Sequence, residues 1–282
     1  MARAINRIRA EGFAWRITQD YCLDVPGPTP VEDIAMDRGI LCLEANLTGC
    51  LARLVRKGNR GVIRTKAGIR EEGRKRFAIA HELGHWFLHE KESQLFVCTA
   101  EQMRDYKGSP TEVEANIFAS ELLMPTFLFR PLAETVTPSL ERIGNLAKTF
   151  QTSLTATGMK FVDLNRHECA LVLSTNGKVT WAKQKNNRSG LRIEKGTPLH
   201  EASLARYLVE PTGRGGPTAV EPDAWITENW YERKLEVTEE SWTLDSYDSV
   251  ITLLVLSDGD NGRDEDMAQH YERKTRGSEL ES

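Results

Sequence analysis

The chain has 282 residues, 40% of them hydrophobic, enough for one large or two modest cores. A formal net charge of −4 does not suit a dedicated nucleic-acid binder, and no apolar run approaches the roughly 18 residues of a membrane-spanning helix. Five scattered cysteines, Cys22, Cys42, Cys50, Cys98 and Cys169, contain no Cys-x-x-Cys pair and suggest reduced thiols in a cytosolic protein.

Residues 1–27 form a leader, partly helical, that ends at Pro26-Gly27-Pro28. Its first ten residues are basic but are followed by no apolar core, so they do not make a signal peptide. Residues 30–38 suggest a short helix, and 39–43 a strand. Two more strands, 51–55 and 61–65, flank the turn Lys57-Gly58-Asn59-Arg60. In such a small sheet an edge strand can pair with an extended peptide, and 61–65 is the expected edge. Residues 51–76 carry ten Lys and Arg against two Glu. Without interleaved aromatics this suits a solvated surface better than a base-stacking one.

His81-Glu82-Leu83-Gly84-His85 falls inside an expected helix over 74–90. Residues four apart lie on one helix face, so His81 and His85 can present two imidazole nitrogens to one metal ion. Glu82 follows the first ligand, where a carboxylate can take a proton from water at the metal. Together these residues carry the signature of a zinc-dependent peptidase. Ala78, Ile79, Ala80, Leu83, Trp86, Phe87 and Leu88 make the helix apolar almost all round, and buried histidines need partners. Gly84 costs a helix about 1 kcal/mol against Ala, which makes sense if another backbone or the substrate comes close there.

A catalytic zinc takes three protein ligands. His89, about 80° further round the helix, suits its C-terminal end better than the metal. The segment from Ser109 to Pro125 forms a second helix, capped by Ser109 or Thr111 and stopped by Pro125. Glu112, Ala115, Asn116, Ala119 and Leu123 share one of its faces. Glu112 is then either the third ligand or a first-turn acid favoured by the helix dipole. Asn116 is placed to orient a metal-ligating His or Glu112. Glu114 points about 200° away from Glu112 and fits a capping box with Thr111.

Two short helical patterns follow, at 138–150 and 154–164, and give 131–165 a helix-turn-helix-like layout. The second helix offers only Thr155, Thr157 and Lys160 to a DNA groove, so packing against the preceding domain is favoured over weak DNA contact. From Glu168 the texture changes. A strand at 169–174, a turn at Thr175-Asn176-Gly177-Lys178, a return strand at 179–182 and a buried strand at 249–256 indicate a second α+β unit over 166–256, with aromatics from Trp225 to Lys234 and at Trp242. Residues 257–282 are charged, lack apolar anchors and suit a disordered tail.

His81-Glu-Leu-Gly-His85-x-x-x-His89, followed by Glu112-x-Glu-Ala-Asn116-x-Phe-Ala-x-x-Leu-Leu-Met-Pro125 and preceded by Arg76-Phe-Ala-Ile-Ala80, closely resembles the ImmA/IrrE family of metallo-endopeptidases. The resemblance implies an α+β, zincin-like domain over 28–130, with active-site helices and a small antiparallel or mixed sheet. It implies Zn2+ bound by His81, His85 and Glu112, with Glu82 as general base. Leu123-Met124-Pro125 anchors the alignment and selects Glu112 over Glu114. Family members cut helix-turn-helix transcriptional repressors in the cytoplasm, in stress, mobile-element or defence circuits, and some carry a GAF-like sensor after the peptidase. The rival expectation is a non-catalytic, metal-stabilised DNA- or protein-binding regulator, which would not need Glu82.

Overall fold

A computed structural model describes residues 4–90, 95–98, 109–185, 191, 193–208, 212–226, 235–244 and 249–258, with backbone alone at 95–98. The architecture is α+β, in two units. One holds Met1–Val136 with Glu141–Leu164, and the other Thr137–Leu140 with Asn165–Ser282.

The residues expected as a leader carry α1 (Arg7–Asp20), which belongs to the first unit. Asn6 caps it, its side chain accepting from the Arg9 N–H at 2.9 Å. Ala10, Ala14 and Ile17 recur at helical spacing, are buried and mark the face that packs on α4 (Pro110–Leu123).

After α2 (Val31–Asp37) the chain reverses at Gly39 (φ +73°), where a β-carbon would stand 2.9 Å from the Asn59 carbonyl oxygen. It then enters a four-stranded sheet of β1 (Ile40–Ala45), β2 (Ala52–Lys57), β3 (Arg60–Lys66) and β4 (Leu95–Cys98). The order is β1-β3-β2-β4, with β1 parallel to β3 and the other pairs antiparallel. β3 therefore lies inside the sheet, and the edges are β1 and β4. The expected edge at 61–65 is wrong. Alternation in a sequence assigns faces of a sheet, not the lateral order of its strands, and β1 occupies the free side of β3. β4 was not expected at all.

Ile40, Ala52, Leu54 and Ile63 are buried on the sheet face that meets α3 (Glu72–Leu88). Gly61 lets the ring of Trp86 approach, since a β-carbon there would stand 2.8 Å from it. The Arg56 guanidinium stacks 3.9 Å from the Trp86 ring centroid and donates to the Trp86 carbonyl at 3.0 Å. These contacts hold the C-terminal half of α3, which carries the histidines, against the sheet.

Pro125 ends α4, and α5 (Thr126–Ala133), α6 (Leu140–Phe150) and α7 (Leu154–Leu164) follow. The Glu121 carboxylate holds the first residue of α5, accepting from the backbone N–H (2.8 Å) and the hydroxyl (2.6 Å) of Thr126. The turn between α6 and α7 lies on the start of α3. At Gly73 only a hydrogen fits between α3 and the backbone of Thr152 and Ser153. Buried Arg76 donates to the carbonyls of Gln151 (3.2 Å) and Thr29 (2.6 Å). Two of the three polar residues expected to face a DNA groove, Thr157 and Lys160, are buried, and Lys160 pairs with Glu121 at 2.8 Å.

The second unit is built on a five-stranded antiparallel sheet of β5 (Glu168–Thr175), β6 (Lys178–Gln184), β7 (Arg214–Val220), β8 (Leu235–Leu244) and β9 (Ser249–Asp258), in the order β6-β5-β9-β8-β7. Asn176 (φ 52°) and Gly177 (φ 68°) make the expected tight turn between β5 and β6. Fully buried Glu239 accepts from Ser203 Oγ, the Ala205 N–H, Trp225 Nε1 and Ser241 Oγ, and so ties two loops to β8. Most of the aromatic stretch to Lys234 and nearly all of the expected tail lie outside the described residues, whereas Ser257 and Asp258 end β9. Among the described residues no helix is long and apolar enough to cross a membrane.

Candidate metal centre

Two helices meet to form the site. On α3 the i, i+4 spacing stacks His81 and His85, both fully buried, on the face turned to α4. The helices come close because both are small at the crossing. A β-carbon on Gly84 would stand 2.9 Å from Ala115 Cα and 3.1 Å from the Ala115 carbonyl oxygen. On α4, Ser109 is the N-cap, its hydroxyl accepting from the Glu112 N–H at 3.5 Å. Glu112 therefore sits in the first turn and reaches across to the histidines.

Three ligand side chains converge. His81 Nε2 lies 3.1 Å from Glu112 Oε2, His85 Nε2 lies 3.3 Å from Glu112 Oε1, and the two Nε2 atoms are 3.1 Å apart. His81, His85 and Glu112 form a group able to hold a metal ion. Bonds of about 2.0–2.1 Å to a tetrahedral zinc place neighbouring ligands roughly 3.3 Å apart, so donor types and spacings both fit. Nitrogen and carboxylate donors suit zinc and other divalent first-row metals.

The surroundings prepare these atoms. The Asn116 Oδ1 lies 2.8 Å from His81 Nδ1. The amide oxygen accepts, so Nδ1 carries the proton and Nε2 keeps its lone pair for the metal. Burial lowers the His85 pKa to about 4, against the raising effect of its hydrogen bond to Glu112. Burial alone would push the Glu112 carboxyl up, but hydrogen bonds and charge from His81 and His85 outweigh it and hold the group well below the usual carboxylate range. Without metal the cluster thus favours a neutral His85 facing a Glu112 carboxylate. Glu82, next to His81 on α3, is fully buried.

The expected third ligand Glu112 and its orienter Asn116 both come to the histidines. Two neighbouring residues have partners that the sequence did not suggest. Glu114 is not part of a capping box, because Ser109 holds the cap and Thr111 lies inside the helix. It is buried instead, with Oε2 at 2.9 Å from His89 Nε2 and Oε1 accepting from the Asn6 N–H at 2.8 Å. His89 is the C-cap of α3, yet its ring is buried, with Nδ1 3.1 Å from His85 Nδ1. The i, i+4 spacing of His85 and His89 was a sequence signal for their contact. Nothing local pointed to Glu114 as the next partner.

Residues 35–161 match a peptidase family described as the IrrE N-terminal-like domain. The match takes in both site helices, α6 and most of α7, and it leaves out α1. No curated protein matches the chain.

Proposed function

With residues 35–161 matching the IrrE N-terminal-like peptidase family, we propose that the chain is a zinc-dependent endopeptidase that cuts helix-turn-helix transcriptional repressors in the cytoplasm. One observation carries the chemistry: His81, His85 and Glu112 converge within 4.8 Å of one another, beside a buried Glu82. When bound, zinc supplies a Lewis acid that polarises the scissile carbonyl and acidifies a water molecule. Glu82 takes the proton from that water as its oxygen attacks the carbonyl carbon. It then delivers the proton to the amine nitrogen as the C–N bond breaks. Asn116 keeps His81 in the ligating tautomer, and Ser109 fixes the turn from which Glu112 reaches the site.

The repressor substrate rests on the resemblance of the His81–Pro125 motif to the ImmA/IrrE peptidases. The buried positions of Thr157 and Lys160 favour a peptidase over a groove-reading regulator. The test is incubation of zinc-loaded wild type and Glu82→Gln with purified helix-turn-helix repressors, with fragments identified by mass spectrometry. Internal cleavage by wild type alone supports the reading. Absence of cleavage, or equal cleavage by the variant, contradicts it.

A further inference from the structure

His85 is held from behind by a chain of buried groups. Its Nδ1 faces His89 Nδ1 at 3.1 Å. His89 Nε2 faces Glu114 Oε2 at 2.9 Å, and Glu114 Oε1 accepts from the Asn6 N–H at 2.8 Å. His89 and Glu114 are 1% exposed, as a water-free chain requires. The directions of the hydrogen bonds follow from what each group can do. With Glu114 as a carboxylate, which only accepts, the hydrogen between His89 and Glu114 belongs to His89 Nε2. With His89 as the neutral imidazole, which has one N–H, its Nδ1 is an acceptor. In that state His85 donates from Nδ1, and its Nε2 retains a lone pair. That lone pair points at His81 Nε2 (3.1 Å) and Glu112 Oε1 (3.3 Å), where the metal would bind.

We propose that His89 and Glu114 are positioning residues that fix His85 in its metal-ligating tautomer, and that α1 completes this support. The inference rests on the reading of His81, His85 and Glu112 as a metal site. α1 holds the chain at two points. Asn6 donates to Glu114, and Arg9 Nη2 donates to the Leu88 carbonyl at 2.8 Å, one residue before His89. Because α1 precedes the family match, this end of the support is a feature of this chain beyond the matched domain. His81 receives the same service from Asn116 within α4, so the two ligands are oriented by separate parts of the fold.

The test uses the full chain as wild type, His89→Leu, Glu114→Gln, Asn6→Ala and Asn6→Pro. Zinc affinity is measured by competition with a chromogenic chelator. The His85 tautomer is read in metal-free protein by long-range proton–nitrogen correlation. Loss of an orienting partner typically weakens metal binding roughly 10–100-fold. The expected result is a loss of that size in His89→Leu, with His85 populating the Nε2–H tautomer, and a smaller change in the same direction in the isosteric Glu114→Gln. Both Asn6 variants lose the side-chain cap, but only proline loses the N–H, so Asn6→Pro should bind zinc more weakly than Asn6→Ala. If His89→Leu fails to fold, Glu114→Gln decides. Wild-type affinity, or weakened affinity with an unchanged tautomer, overturns the positioning role and leaves the metal site standing. Equal affinity of the two Asn6 variants overturns the role of α1. A wild type that binds no zinc overturns both this inference and the site beneath it.

Discussion

Gly84 and Ala115 bring the two site helices into backbone contact: a β-carbon on Gly84 would lie 2.9 Å from Ala115 Cα. Ala115 stands between Glu112 and Asn116, and Gly84 immediately precedes His85, so this contact sets the distance from which Glu112 reaches the histidines. Gly84→Ala gains about 1 kcal/mol of helix propensity, but the new methyl meets backbone rather than a flexible side chain. The expected outcome is a net loss of about 1–3 kcal/mol, as for other overpacked sites, together with weaker metal binding. Chemical denaturation and chelator competition measure both. A variant more stable than wild type with full metal affinity would contradict the close packing.

Glu82→Gln keeps the shape of the side chain and removes its basicity. Metal content should be unchanged and peptide cleavage should fall by about 100-fold or more, the usual contribution of a general base. Cleavage at the wild-type rate would remove Glu82 from the mechanism.

The metal-free protein should lose stability in acid. His85 titrates at about 4 in the fold, against the ordinary 6.5, so the unfolded chain binds the proton more readily. Its contribution is fully present above about pH 6.5 and is lost as pH falls towards about 4. Glu112, held below its ordinary value of 4.5, adds a loss that begins near that value and continues as pH falls further. At about 1.4 kcal/mol per pKa unit the histidine effect is on the order of 3 kcal/mol. Thermal melts of chelator-treated protein between pH 7.5 and about 4.5 should show a falling Tm. A flat profile would contradict the buried, neutral state of His85.

Gly73→Ala tests whether the α6–α7 pair is built into the peptidase unit. The added methyl would overlap the backbone of Thr152 and Ser153. The expected cost is about 3 kcal/mol or more, since neither helix start nor turn can yield as a side chain does. A change under about 0.5 kcal/mol, the usual size at a free surface, would show that this turn does not press on α3.

Much of the site was legible because its chemistry is local. The His81/His85 spacing, the apolar wrapping of α3, and the choice of glycine at position 84 despite its low helix propensity all point to a buried helix that meets another backbone. Glu112 and Asn116 were legible through the 3.6-residue period, which puts them on one face with Ala115 and Ala119. The support behind His85 was not, because Glu114 and Asn6 are joined to His89 by tertiary packing across 25 and 83 positions of sequence. Local rules assigned Glu114 to a cap that Ser109 already fills. The sheet order was hidden for a similar reason. Leu41 and Leu43 on β1 are 56% and 44% exposed, but Val55 on interior β2 is exposed too (39%), so apolar residues on this face give no sign of lateral order. β4 is only four residues long, too short for a period to show.

The most direct test of the central claim is the metal content of protein purified without added metal, by mass spectrometry, for wild type and Glu112→Ala in parallel. One equivalent of zinc in wild type, largely lost in the variant, is the predicted result. Full occupancy in Glu112→Ala would move the third ligand away from Glu112, and an empty wild type that stays empty after zinc is supplied would contradict the metallopeptidase reading itself.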